Sequence, residues 1–244
     1  MIQKILIEKH TGKKYFVKEL QQDFYTAEGT ISKKDLQGNN AEVKTNKNKT
    51  FLLLTPSFPD FWESLQRGPQ ILLQKDIGMI LAKTGVNKDS VVVDAGGGSG
   101  SLCLSLANVC KQVTTYEIHP EHYNIVMKNK DLFGMKNLMV KKQNIALGID
   151  EKELDLITLD LPEPWEVVAH AEKTLKVGGF LVAYLPNLLQ VKQFVDAVHG
   201  TALRVLETIE LLERKWKIEE KIMRPEFEML GHTGFLTFCR KMGS

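Results

Sequence analysis

One stretch, Val91-Val92-Val93-Asp94-Ala95-Gly96-Gly97-Gly98-Ser99-Gly100-Ser101, constrains this chain more than any other. Three consecutive valines read as a buried strand, and the glycine cluster after them allows close backbone approach at a turn that opens a helix. The theme repeats along the chain. A helix follows Ser101, Val113 to Glu117 is a β run, a helix follows Pro120, and Leu138 to Lys141 is again β. Leu154 to Leu159 comes next, then a helix from about Glu166 to Leu175, the run Gly179 to Leu185, and a helix from Leu188 to His199. Strand–helix alternation of this kind implies an α/β fold built on a parallel, Rossmann-like sheet. The last third changes character: Leu203 to Leu212, Trp216 to Met223 and Gly234 to Cys239 are strand-like, so an antiparallel hairpin should close one sheet edge.

Ahead of this sheet the pattern differs. Ile2 to Ile7, Tyr15 to Val17, Phe24 to Thr26, Glu42 to Lys44 and Thr50 to Thr55 are short β-type runs separated by Gly12, Gly29 and Gly38-Asn39-Asn40. They read as a small β domain over residues 1–56. Asp60 to Gln66 and Gln74 to Lys83 show helical spacing with Gly85 as a stop, giving a helical connection over 57–85 and a Rossmann-like domain over 86–244. A composition of 43% hydrophobic and 25% charged residues suits globular domains rather than a disordered chain. The longest apolar stretches fall far short of a membrane span. The N-terminal apolar run is broken by Glu8 and Lys9, which argues against a secretory signal and for a cytoplasmic protein. Cys103, Cys110 and Cys239 stand in no zinc-type spacing, so no metal is expected and structural thiols are the simplest reading. The net charge of +2 is unevenly spread, because residues 1–50 hold ten Lys against six Asp and Glu, an excess of +4. A basic end of this kind suits either a solvated surface or a polyanionic partner.

The glycine turn sits where doubly wound sheets bind ligands, at the carboxyl ends of their strands, and its spare amides can hold a carboxylate or phosphate. Glu117 follows Gly96 by 21 residues, close to the offset at which an acidic side chain meets ribose hydroxyls. Ser101 stands where a dinucleotide fingerprint wants its third Gly or Ala, and no Gly-Lys-Ser/Thr follows, so NAD is disfavoured and a P-loop is excluded. A nucleoside carrying an amino acid fits, namely S-adenosyl-L-methionine. Ser99, Ser101 and Leu102 can offer amides or a hydroxyl to its carboxylate, or can serve helix packing alone. Asp160 ends the fourth strand on the same sheet edge, with Pro162 and Pro164 stiffening the loop after it. A carboxylate there can stabilise positive charge that develops on a group bound beside it.

Asp94-Ala-Gly-Gly-Gly-Ser-Gly100 with Glu117 resembles motif I and the following acid of class I S-adenosylmethionine-dependent methyltransferases. Asp160-Leu-Pro-Glu-Pro-Trp165, Arg67-Gly-Pro-Gln70 with Lys75-Asp76, and Gly231-His-Thr-Gly-Phe-Leu236 after Arg224-Pro225 resemble a narrower group. This is the archaeal and bacterial type of tRNA N1-adenine methyltransferase acting on the T-loop at adenine 58, with 57 as a neighbouring target. The likeness extends to Phe24-Tyr-Thr26, Gly29 and Asp35-Leu36 in the β domain. It implies a catalytic Asp160 that also faces the cofactor, together with Gln70, Asp94, Gly96, Gly98, Ser99, Gly100, Ser101, Leu102, Glu117 and Asn144 on the cofactor. It also implies a tRNA partner and a homotetramer away from any membrane. Two departures stand out: Gln143-Asn144 replaces a Gly-Asp whose Asp meets the cofactor adenine, and Leu73-Gln74 replaces an aromatic or His followed by Pro near the substrate base. Trp165 reads equally as a stacking wall or a core aromatic, and His232 as a pocket or structural residue. A non-catalytic RNA-binding or assembly subunit and a class I methyltransferase with another acceptor are the alternative readings.

Overall fold

The computed structural model describes residues 1–66, 68 and 71–243, which form two compact units. The first holds residues 1–66 and 128–134, the second the remainder. In the first unit the strands are β1 (Lys4–Glu8), β2 (Lys14–Val17), β3 (Phe24–Thr26), β4 (Gly29–Ile31), β5 (Glu42–Lys44) and β6 (Thr50–Leu54). Helix α1 (Lys33–Gln37) lies between β4 and β5, and α2 (Phe58–Glu63) follows β6. A four-stranded antiparallel sheet runs β2-β1-β6-β5, and β3 and β4 make a separate ribbon. Alternation in β6 turns Phe51 and Leu53 inward, onto Leu6, Val17, Ile31, Leu36 and Val43. The β runs read from sequence recur here, and β4 and α1 are additions. Both are too short to show periodicity, although Ser32 caps α1 by accepting from the Asp35 amide at 3.2 Å. Ser57 and Asp60 form a capping box at α2, whose Phe58 and Phe61 rings pack on Phe133 at 5.3 and 5.2 Å between centroids.

The second unit opens with α3 (Gln74–Thr84), ended by Gly85 in the left-handed conformation at φ +65°. Then β7 (Val91–Ala95), α4 (Ser101–Ala107), β8 (Gln112–Tyr116), α5 (Pro120–Phe133), β9 (Leu138–Lys141) and β10 (Leu154–Leu159) alternate as expected. The chain continues through α6 (Val168–Thr174), β11 (Leu175–Leu185), α7 (Leu188–Val198), β12 (Leu203–Glu210), β13 (Trp216–Glu219), β14 (Ile222–Pro225) and β15 (Phe235–Lys241). One seven-stranded sheet results, in the order β12-β15-β11-β10-β7-β8-β9. The five strands from β11 to β9 are parallel, and an antiparallel β12/β15 pair closes the edge, with β15 inserted between β11 and β12. The stretch 216–223, which reads as a single strand, instead contributes β13 and the start of β14, which pair as an isolated ribbon turning at Glu220 with φ +46°.

Pairing between the parallel strands is level at their carboxyl ends. Ala95 lies opposite Tyr116 on one side and Leu159 on the other, and Leu159 lies opposite Ala183. The next residues, Gly96, Glu117, Asp160 and Tyr184, therefore stand in one row along that edge. One pair of hydrogen bonds fixes this register. The fully buried Asp94 carboxylate accepts from Thr115 Oγ1 at 2.7 Å on β8 and from Thr158 Oγ1 at 2.8 Å on β10. Burial pushes the Asp94 carboxyl up to about 6 against the opposing pull of the two threonines, and the Glu117 charge adds to the rise. All three cysteines are buried and unpaired. Burial raises Cys110 to about 11 and Cys239 to about 12, so these thiols stay protonated and unreactive.

Gly96 is where the row is tightest. Its φ is +92°, and a Cβ there would stand 2.0 Å from the Asp160 carbonyl oxygen. Gly96→Ala should lower stability by roughly 2 to 5 kcal/mol, the sum of backbone strain and overpacking. Urea unfolding should show this as a fall in midpoint at unchanged slope.

Candidate active site

Glu117 ties the glycine loop to the strand beside it. Its buried carboxylate accepts from the Gly98 amide at 2.9 Å and from the His119 amide at 2.8 Å, with His122 Nδ1 at 3.8 Å. One cavity of about 350 Å³ opens above this arrangement. Gly96, Gly98, Glu117, Asn144 and Asp160, each expected at the cofactor, all line it. Ile118, Ile145 and Leu161 supply apolar walls, Gln143 stands beside Asn144, and His119 and His122 join the lining without a signal in the sequence. A Cβ on Gly98 would meet only the Gly96 carbonyl, at 3.7 Å, so a side chain there would stand in the cavity itself. The loop is thus a cradle that glycine keeps open, and a carboxylate beside it suits a diol.

The remaining expected residues stand behind that surface. Gly100 is the N-cap of α4 at φ +84°, and Ser99, Ser101 and Leu102 are buried and do not line the cavity. Asp94 turns into the sheet, where it locks the strand register through Thr115 and Thr158. Gln70, with Arg67 and Pro69, lies outside the described residues. Asn144 is exposed, and its side-chain oxygen accepts from the Ala146 amide at 2.9 Å, capping a short 3₁₀ turn over Ile145–Leu147.

A second cavity, of about 670 Å³, lies on the other side of Asp160. Leu72, Leu73, Tyr184, Pro186, Gln190 and Thr233 are among its walls. The three residues Asp160, Leu161 and Pro162 line both cavities and so form the partition between them. By surface area Asp160 is exposed, opening onto these two cavities, while the protein packed around its carboxyl displaces part of the water that would solvate a charge. That desolvation, with the Asp94 charge as a lesser cause, pushes its carboxyl up to about 7. Leu73, read from sequence as lying near the substrate base, lines the second cavity.

Tyr184 carries no site signal in the sequence, though its place one row beyond Ala183 follows from strand register. Its hydroxyl donates to the Thr233 carbonyl at 2.7 Å, and burial pushes it up to about 12, so it remains a donor. The Gly231-His232-Thr233-Gly234 motif wraps this ring: a Cβ on Gly234 would stand 2.5 Å from it. Lys75 Nζ anchors the motif, reaching Thr233 Oγ1 at 2.7 Å and both oxygens of the fully buried Asp76 at 2.8 and 2.9 Å. His232 is a clamp outside the cavity. Nε2 lies 2.7 Å from the Pro186 carbonyl and Nδ1 2.5 Å from Glu210 Oε1, and these acceptors raise its pKa, Glu210 first. Trp165 is half-buried in a 3₁₀ turn over Pro164–Val167 and lines neither cavity.

A family described as the tRNA methyltransferase complex GCD14 subunit matches residues 49–224. The tRNA (adenine(57)-N(1)/adenine(58)-N(1))-methyltransferase TrmI of Methanocaldococcus jannaschii is 35% identical over 97% of this chain and 94% of its own. Among solved structures, a SAM-dependent O-methyltransferase from Thermotoga maritima superposes with a TM-score of 0.83 at 26% identity, covering 100% of this chain and 94% of that one. The tRNA (m1A58) methyltransferase TrmI from Aquifex aeolicus gives 0.77 at 26% identity, covering 99% and 97%. The extent of the family match and the near full-length identity to TrmI place this chain in the family of tRNA (adenine-N1)-methyltransferases.

Proposed function

We propose that this enzyme transfers a methyl group from S-adenosylmethionine to N1 of adenine 58 in the T-loop of tRNA, with adenine 57 as a neighbouring target. The observation that carries this reading is the shared wall: one carboxylate, Asp160, stands between a glycine-lined cavity and a larger one. The smaller cavity suits the cofactor. Gly96 and Gly98 keep it open, Glu117 presents its carboxylate to the ribose hydroxyls, and Asn144 meets the adenine ring between apolar walls. Ser99, Gly100, Ser101 and Leu102 shape the loop from behind, and Asp94 holds it through the sheet.

When bound, S-adenosylmethionine supplies an electrophilic methyl group on a sulfonium. The larger cavity receives the target adenine, which must leave its stack at a cost of about a few kcal/mol. Adenine N1 carries a free lone pair, so no base is needed to activate it. As the new bond forms, positive charge spreads over N1, C6 and N6, and the Asp160 carboxylate accepts a hydrogen bond from N6. A carboxylate closely flanked by protein is worth more to that charge than one in bulk water, and it can take the N6 proton from the product. Tyr184, fixed by Thr233, holds the far wall rigid.

The chain's work on tRNA points to the cytoplasm, and family resemblance to a homotetramer. An unburied apolar face on the ribbon supports self-association. Trp216 pairs with Pro225 and Ile218 with Met223, and Trp216, Ile218 and Met223 are 57, 72 and 76% exposed. A lone two-stranded ribbon is marginal in water and gains from a partner.

Incubating the protein with labelled cofactor and unmodified tRNA transcript should yield labelled 1-methyladenosine on nucleoside digestion. Cofactor binding without that product would overturn the acceptor assignment. Asp160→Asn should cut kcat at least about 10²-fold while cofactor affinity holds. Because the ionised form is the active one, kcat/KM should rise with pH through about 7 in the wild type and lose that limb in the variant. Stability runs the other way. A carboxyl raised in the folded state favours folding most below its unfolded pKa, and that contribution is lost as pH rises to about 7. Asp160→Asn should therefore melt above the wild type at alkaline pH, the gap closing in acid. Asn144→Asp keeps the cap on Ala146 and adds a charge for the adenine amino group, so calorimetry should show cofactor binding tightened by about 10-fold.

A further inference from the structure

In the first unit, two turns leave the same end of the four-stranded sheet. Glu8 at the end of β1 lies opposite Phe51 near the start of β6, and Lys44 lies opposite Thr50, so turns 9–13 and 45–49 sit side by side. The Lys9 amide joins them by donating to the Thr50 carbonyl at 3.0 Å. Between them is an open depression of about 340 Å³ lined by Glu8, Lys9, His10, Asn48, Lys49 and Thr50.

Both turns are braced from within. The buried Glu8 carboxylate accepts from Thr11 Oγ1 at 2.6 Å and from the amides of Thr11 and His10 at 2.5 and 3.1 Å. Buried Thr45 accepts on Oγ1 from the Lys47 and Lys49 amides at 3.3 and 3.2 Å, and donates to the Glu28 carbonyl at 2.9 Å. These braces engage the acid in the depression, and the basic side chains around it stand in solvent. Lys9, His10, Lys13, Lys44, Lys47 and Lys49 are all exposed. Of the acids nearby, Glu42 is held by Lys9 at 2.5 Å and Glu28 by the Tyr15 hydroxyl at 2.8 Å. Lys44, Lys47 and Lys49 make no ion pair with any described residue.

We propose that this rim is an RNA-backbone contact surface, in which Lys44, Lys47 and Lys49 neutralise phosphates of the tRNA substrate and Lys9, His10 and Lys13 flank them. The inference rests on tRNA being the substrate. Its physical basis is the concentration of charge: residues 1–50 carry +4 in a chain whose total is only +2, and three of those cations stand on a rigid frame without an ion pair to any described residue. Bracing the turns removes the backbone share of the ordering cost of meeting phosphates, and the lysine side chains supply the charge.

The test compares two triple variants that remove equal charge from the same unit, Lys44→Gln/Lys47→Gln/Lys49→Gln and Lys18→Gln/Lys33→Gln/Lys34→Gln. Binding to unmodified tRNA is followed by fluorescence anisotropy over about 50 to 200 mM KCl, where phosphate contacts dominate the salt dependence. The first variant should bind about 10-fold or more weakly and lose about 2 to 3 from its log–log salt slope, with kcat at saturating tRNA and cofactor affinity unchanged. The second should match the wild type. Equal weakening in both variants, or an unchanged affinity and slope in the first, overturns the proposal. A wild type that binds tRNA through the rim yet makes no 1-methyladenosine sinks the functional reading and keeps the rim. One that methylates with the first variant unaffected does the reverse, and one that neither binds nor methylates sinks both.

Discussion

The Asp94 carboxylate, shared between Thr115 and Thr158, is the interaction on which the rest of the second unit depends. It crosses two inter-strand gaps one step before the strands end. A shift of one residue on either side would break a buried, charge-assisted hydrogen bond and leave a polar group unsatisfied at about 1 to 3 kcal/mol. The level row beyond it, from Glu117 through Gly96 and Asp160 to Tyr184, is therefore a consequence of that bridge. Gly96 then lets the Asp160 backbone come closer than any side chain would permit.

Much of this is legible in the chain. The alternation from Val91 to His199 specifies a parallel sheet because strands buried on both faces and amphipathic helices have different periods. The glycine cluster, the acid 21 residues on and Asp160 are visible because each is a single residue type doing something few others can do. The helical stop at Gly85 and the capping box at Ser57 follow from equally local rules.

Features hidden from the sequence depend on contacts between distant segments. Asp94 reads as part of a binding motif, yet its side chain serves the sheet, which only the pairing of Thr115 and Thr158 around it reveals. Tyr184 looks like one more residue in an apolar run until the register sets it beside Asp160. Ser99, Ser101 and Leu102 lie behind the loop because α4 turns back into the core, a matter of packing rather than spacing. Stretch 216–223 has strand composition throughout, and its division at Glu220 rests on a left-handed residue that carries no sequence signal of its own.

The partition formed by Asp160, Leu161 and Pro162 has a consequence for chemical design. Two cavities divided by so thin a wall are near enough for one molecule to occupy both. An adenosine fragment seated against Glu117, joined by a short tether to a second heterocycle beside Tyr184, would convert two weak binding events into one with a high effective concentration. If the larger cavity takes the acceptor base as proposed, the second heterocycle would be read by the frame of Tyr184 and Thr233 that lines it, and that half of the molecule would carry the selectivity.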